Sequence, residues 1–268
     1  MTMLNAEMLR ETTAPLAGSM ERCGPERAGQ AWRAQCSACS MQNLCLPRGI
    51  QPGDLKLIDE LVYTQRRVKR GQTLIEAGDP FRNLYGLRSG FLKSFVSAED
   101  GREQVIGFHM AGDIVGFEGI DSDRHSRTLT ALEDSEVCIV LFHNLERTAA
   151  RVPALQRQFY RMMSREIVRE QGLMMLLGAM SAEERMAAFL LNLSRRFAAR
   201  GFSQHEFNLR MTREEIGSYL GLTLETVSRG FSRFQERGLI DIKQRRVKLL
   251  DMNLLERTAG GRKGDTAN

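Results

Sequence analysis

Three cysteines fall within ten residues, Cys36, Cys39 and Cys45, spaced C-x2-C-x5-C, and a fourth, Cys138, lies far downstream. Thiolates gathered on one short loop suit a soft metal, because one centre satisfies several sulfurs at once. Three local sulfurs and one remote sulfur close a four-thiolate site. Such a site also clips an N-terminal arm to a distant domain, so folding or assembly follows the state of the centre. Cys23 falls outside the spacing and reads as a spare thiol. Leu44 and Leu46 flank Cys45 and would restrict access to it, and Ser40 beside Cys39 would hydrogen-bond to sulfur.

A second constellation suits nucleic acid. Glu225, Ser228 and Arg229 recur at i, i+3 and i+4 and share a polar helix face, while Val227, Phe231 and Phe234 recur at i, i+4 and i+7 and face a core. Arginine grips guanine O6 and N7, glutamate accepts from cytosine N4, and serine bonds either partner. A plain surface ion pair between Glu225 and Arg229 fits the same spacing. The flanking signals favour DNA. Thr212-Arg213-Glu214-Glu215 is a capping box with Thr212 as N-cap and Glu215 at N3. That helix runs to Leu220 and stops at Gly221. Thr223 caps a second helix, Leu224 to about Arg237, which ends at Gly238. Strand-prone runs at 239–242 and 247–250 follow, joined by the basic tip Gln244-Arg245-Arg246. Helix, glycine turn, helix and basic hairpin make a winged helix-turn-helix, whose second helix enters the major groove. Thr223 and the wing residue Arg245 complete the predicted DNA-binding set.

The charge agrees with this placement. Of the net +5, residues 195–258 hold 13 Lys and Arg against 8 Asp and Glu, whereas residues 1–194 hold 23 against 24. A basic C-terminal quarter fits a polyanion partner.

The elements that position these groups can be read in outline. A chain of 268 residues with 42% hydrophobic content suits about two domains. No apolar run approaches the ~18 residues of a membrane span, no signal peptide is evident, and the clustered cysteines fit a reducing cytoplasm. From about Thr64 to Phe142, β-prone runs alternate with turns at Gly78, Gly90, Gly101 and Gly112, the spacing of a β-roll or jelly-roll. Pro153 opens a long helix, roughly 154–179. Tyr160, Met163, Ile167, Glu170, Met174 and Leu177 form a coiled-coil seam along it, with Glu170 as its one charge. That stripe either packs on its own domain or forms a dimer, and the helix length and the charged interruption favour the dimer. In a parallel homodimer the two Glu170 carboxylates face each other and repel; outward pairing with Arg165 or Arg169 of a partner is the other arrangement. The expected α+β organisation is a flexible tail at 1–35, a cysteine arm at 36–50, a β-roll sensor domain at 51–152, a dimerisation helix at 153–181, a winged helix-turn-helix at 182–258 and a tail at 259–268.

The cysteine spacing, the run Gly107-Phe108-His109-Met110-Ala111-Gly112-Asp113 and the run Leu220-Gly221-Leu222-Thr223-Leu224-Glu225-Thr226-Val227-Ser228-Arg229 resemble the FNR-type (fumarate and nitrate reduction) regulators. These are the anaerobic branch of the cyclic-AMP receptor protein superfamily. The resemblance spans about residues 36–255. It implies a cytoplasmic oxygen sensor in which Cys36, Cys39, Cys45 and Cys138 hold a [4Fe-4S] cluster. The cluster favours a homodimer that binds a palindromic, TTGAT-type site in double-stranded DNA and contacts RNA polymerase, and Glu170 matches an acidic position of the dimerisation helix. All-thiolate ligation is standard for this cluster. Four thiolates also suit zinc, although zinc modules usually present two close cysteine pairs and only one is present here.

Two positions depart from relatives' patterns. Gly112-Asp113-Ile114-Val115-Gly116 is followed by Phe117, where the cyclic-nucleotide branch keeps a ribose-binding glutamate, although Arg127-Thr128 resembles its phosphate-binding pair. A regulator gated by nucleotide or by structural zinc is therefore the alternative. Arg102 occupies a turn that the family uses to touch polymerase and that carries an acidic residue elsewhere. No histidine accompanies the thiols, and no catalytic constellation is visible, so an enzyme is not expected.

Overall fold

The structure, a computed structural model, describes residues 36–39, 42–46, 51–98 and 100–260. The expectations for Cys23, Ser40 and the 1–35 tail lie outside these residues, as do those for 261–268.

The arm contributes a 3-10 turn at Cys36–Ala38 and a single helical turn, α1 (Gln42–Cys45); α2 (Leu55–Asp59) follows. Eight strands come next: β1 (Val62–Val68), β2 (Thr73–Ile75), β3 (Asn83–Ser89), β4 (Phe91–Ser97), β5 (Glu103–Met110), β6 (Ile114–Val115), β7 (Thr128–Ala131) and β8 (Ser135–Leu141). They form two antiparallel sheets, ordered β1-β8-β3-β6 and β2-β7-β4-β5. Val68, Leu74, Leu87, Leu92, Leu129 and Val137 pack together as the roll's core. The glycine spacing has a backbone cause. Gly90 and Gly112 have φ of 92° and 88°, a region closed to most side chains. At Gly90 a Cβ would also collide with Ser135.

The strand run ends at Leu141, and Phe142 begins a helix, α3 (Phe142–Arg151). The sequence reading missed this helix: it buries only Leu145 and Ala149, too short a stripe to register. The long helix α4 (Pro153–Ala179) starts with Pro153 in its first turn, where a missing N–H costs nothing. Ser181 and Glu184 form a full capping box that opens α5 (Ala182–Ala198).

The C-terminal unit contains β9 (Glu206–Asn208), α6 (Arg213–Leu220), α7 (Leu224–Glu236), β10 (Ile240–Lys243), β11 (Arg246–Leu249) and α8 (Met252–Thr258). The Thr212–Glu215 box and the Thr223 cap form as read, and Gly221 closes α6 with φ of 64°. The wing is shifted by one residue: its turn is Gln244-Arg245, with Gln244 at φ 56°. Arg246 is drawn into β11 opposite Asn208. Neither β9 nor α8 was read in the sequence, for each is short and stable only through its neighbours.

One continuous core joins roll and C-terminal unit. Phe91, Val105 and Phe108 of the roll cluster with Phe189, Ile216 and Phe231. Ser218 on α6 caps the edge of β5, accepting from the Val105 N–H at 2.8 Å and donating to the Glu103 carbonyl at 3.0 Å.

Candidate metal centre and nucleic-acid interface

The four cysteines come from two chain segments. Cys36 and Cys45 lie on the arm's two turns, with Cys39 between them. Cys138 sits within β8, opposite Gly86 of β3 and Gln65 of β1. The arm is held by ordinary contacts. The Ser37 amide and hydroxyl donate to Asp59 at 2.9 and 2.7 Å. Cys36 and Leu46 pack on the cluster of Ile58, Leu84 and Leu155. Leu44 fills the space where Gly112 would carry a Cβ, and the Cys45 thiol points at the Gly112 carbonyl, 3.8 Å away.

No disulfide joins any two of the four. Burial, then the neighbouring Cys138 and other anionic groups, pushes the Cys36 thiol up to about 12. Burial, then Cys39 and Cys138, does the same to Cys45, also to about 12. Burial and Cys39 raise Cys138. Each of these three thiols is thereby held in its protonated form at neutral pH. Among the described residues, no three Cys, His, Asp or Glu groups stand close enough to hold a single metal ion. Ligation here must expel thiol protons, so affinity rises with pH.

The turn beneath the arm carries a second feature that the sequence reading did not single out. Asp113 is buried. It accepts from Arg196 Nη2 of α5 at 2.6 Å and from Arg200 Nη2, just past the end of α5, at 2.7 Å, and pairs with Arg169 of α4 at 3.8 Å. Arg200 Nε also donates to the Ala111 carbonyl at 2.5 Å. Burial pushes the Asp113 carboxyl up, but Arg196, Arg169 and Arg200 outweigh it and leave it at about 2. The turn that touches Cys45 and Leu44 is thereby tied to both long helices. The only local hint was Arg196 and Arg200 at i, i+4.

On α7, Val227, Phe231 and Phe234 are buried, while Glu225 and Arg229 are exposed and Ser228 is half-buried. Hydrogen bonds from the Glu225 amide and the Thr223 hydroxyl, then the charge of Arg229, hold the Glu225 carboxyl below its usual range. Glu183 of α5 pairs with Arg233 and Arg237, fixing the far end of α7. Arg245 lies exposed at the wing turn, whereas the Arg246 guanidinium is taken by Glu206 at 2.7 Å. The basic tip is therefore narrower than the three residues read from the sequence.

Along α4, Tyr160, Ile167 and Met174 are exposed at 54%, 56% and 65%, and Met163 is half-buried. Leu177 is half-buried and reaches toward Gly221 of the helix-turn-helix. Within its own chain Glu170 has a partner that the sequence did not point to. Its carboxylate accepts from Arg127 Nη2 of its own chain at 2.8 Å. Arg127 also lies 3.9 Å from both Glu118 and Glu166. These residues line a cavity of about 220 Å³ between roll and α4, together with Phe117 and His109. Burial holds the His109 imidazole down at about 3, so it is neutral.

No helix among the described residues is long and apolar enough to cross a membrane. The chain matches the Crp-like helix-turn-helix domain over residues 184–258 and the cyclic nucleotide-binding domain over residues 65–151. It is 49% identical over 227 residues to the transcriptional regulatory protein btr of Bordetella pertussis, covering 85% of this chain and 94% of that protein. It is 44% identical over 225 residues to the fumarate and nitrate reduction regulatory protein of Escherichia coli, covering 84% and 90%. Among solved structures it resembles FixK2 from Bradyrhizobium japonicum, with a TM-score of 0.67 and 31% identity over 73% of this chain and 96% of that one.

Proposed function

That this chain belongs to the CRP/FNR family of transcription regulators is the premise from which we propose that it is an oxygen-responsive regulator. In this reading Cys36, Cys39, Cys45 and Cys138 hold a [4Fe-4S] cluster, and a homodimer binds palindromic promoter DNA when oxygen is absent. The observation that carries the reading is the spacing of the three arm cysteines together with the seating of Cys45 and Leu44 on the Gly112 turn, which is itself tied to α4 and α5.

The donor set fits the group. All-thiolate ligation is standard for a [4Fe-4S] cluster, and the chain has one close cysteine pair where zinc modules usually present two. When bound, the cluster supplies an oxygen-labile bond between arm and roll. The chain does the rest. Leu44 and Cys45 press on Gly112, Asp113 holds Arg169, Arg196 and Arg200, and the seam of Tyr160, Met163, Ile167 and Met174 offers an apolar face to a second copy. Glu225, Ser228 and Arg229 read base edges, with Thr223 and Arg245 on the backbone. RNA polymerase is a further partner; near the family's contact turn, Arg102 is paired to Asp100 at 2.7 Å. The relatives support a regulator, not an enzyme, and we place it in the cytoplasm.

Nucleotide gating is less well supported. A cavity exists, but Arg127, which would anchor a phosphate, is surrounded by Glu118, Glu166 and Glu170, which repel an anion.

Protein purified without air should be brown, with a broad visible band; a colourless protein would overturn the cluster. Replacing any one of Cys36, Cys39, Cys45 or Cys138 with Ser should abolish stable cluster binding and anaerobic DNA binding, whereas Cys23→Ser should not. Full iron and acid-labile sulfide in Cys138→Ser would refute the ligand set.

A further inference from the structure

The arm does not lie flush on the roll. Beside Cys45 is a cavity of about 60 Å³, walled by Leu84, Ile114, Leu155, Phe159 and Met162, with the buried Gln158 as a polar member of its lining. Its floor comes from the roll and its sides from α4. Water needs two to four polar partners to settle in such a space, and an apolar cavity stays dry while accepting xenon or small apolar molecules. Apart from Cys45 and Gln158 the lining side chains are apolar, so water finds few partners there. A diatomic gas loses nothing on entering and gains contact with several side chains at once.

We propose that this cavity is a gas site, holding an apolar diatomic molecule, dioxygen, against the Cys45 side of the centre. The proposal rests on the oxygen-sensing reading above. It assigns control of gas access to Leu155 and Met162 of α4, residues remote in sequence from the cysteines, in addition to the flanking Leu44 and Leu46. The dimerisation helix then has two jobs on two faces: the seam meets a partner, and the inner face sets the volume of the gas site.

Two measurements on the full chain test this. Crystals pressurised with xenon should show a xenon atom between Leu155, Phe159 and Cys45; this readout does not need the cluster. Stopped-flow mixing of anaerobic protein with aerated buffer should show visible absorbance lost several-fold more slowly in Leu155→Phe, which fills the space. The loss should be several-fold faster in Leu155→Ala, with iron and sulfide per chain unchanged. Met162→Phe fills the same space from the rim and serves if Leu155→Phe does not fold. Nitric oxide is also a small, weakly polar diatomic that would fit the same cavity, so it is run separately. Rates that change for nitric oxide alone overturn the dioxygen assignment. No xenon at the site, or a coloured protein whose rates ignore all three variants, overturns the gas site alone. A colourless anaerobic protein overturns the oxygen role together with the reading it rests on.

Discussion

Glu225 and Arg229 stand one turn apart on the open face of α7, and Thr223 fixes where that turn begins. The cap matters because it sets the rotation of the helix and therefore which side chains lead into the groove. Arg229→Ala should relax discrimination at one guanine position by roughly 1–3 kcal/mol. Arg245→Ala should instead weaken binding to every sequence and lower the salt slope. Competition against single-base operator variants separates the two. Equal loss on every variant for Arg229→Ala would make it a phosphate contact. Arg246 is excluded from this comparison, since Glu206 already holds it.

The turn between β5 and β6 is the joint at which elements meet. Asp113 gathers Arg169 of α4, Arg196 of α5 and Arg200 just past the end of α5 in a buried site. Breaking a buried charge set by removing one member leaves like charges uncompensated, at a cost of about 3–5 kcal/mol. Asp113→Asn should therefore lower the urea midpoint strongly and loosen α5 from the roll. The sign of the pH effect follows from the carboxyl lying at about 2, below its ordinary 3.8. A depressed carboxyl contributes stability that is complete above its unfolded value and is lost as pH falls through its folded value. Wild type should thus lose stability between about pH 4 and pH 2, and Asp113→Asn should show a flatter limb in acid titrations followed by circular dichroism. In the proposed dimer, Arg127 beside β7 would partly offset Glu170 of α4, leaving a repulsion across the seam weaker than that of bare carboxylates. Sedimentation of the cluster-free protein should show a modestly larger dimer fraction for Glu170→Ala than for wild type. A more monomeric variant would mean that the Arg127 pair is what holds α4 in place for dimerisation.

Across the whole molecule, the apolar core passes without a break from the β4–β5 strands into the helix-turn-helix, and Ser218 adds edge hydrogen bonds at the junction. The described part of the arm touches this body at a few places only, chiefly Asp59, Gly112 and the Ile58 cluster. Stability scales with apolar burial, so removing the metal centre should leave the fold largely intact. Chelation in air should abolish the visible band and specific DNA binding and shift sedimentation toward monomer. The far-ultraviolet circular dichroism should remain close to that of the loaded protein. Global unfolding on chelation would mean that the centre is a folding core instead of a switch.

Features that depend on near neighbours along the chain were legible in the sequence. The Thr212–Glu215 box, the Thr223 cap, the Gly221 stop, the Gly90 and Gly112 turns and the buried stripe of α7 all follow from backbone chemistry within four residues. The cysteine spacing likewise groups Cys36, Cys39 and Cys45 as candidate ligands, a role that rests on the proposal above. Tertiary structure alone decided which distant groups meet. Asp113 finds Arg196 and Arg200 across separations of 83 and 87 residues, and Glu170 finds Arg127 across 43. Leu44 settles on Gly112, Arg246 turns to Glu206, and β9 becomes a strand only because β11 pairs with it. Charge pairing and packing act through space, and a linear pattern records the identity of each partner without recording their distance.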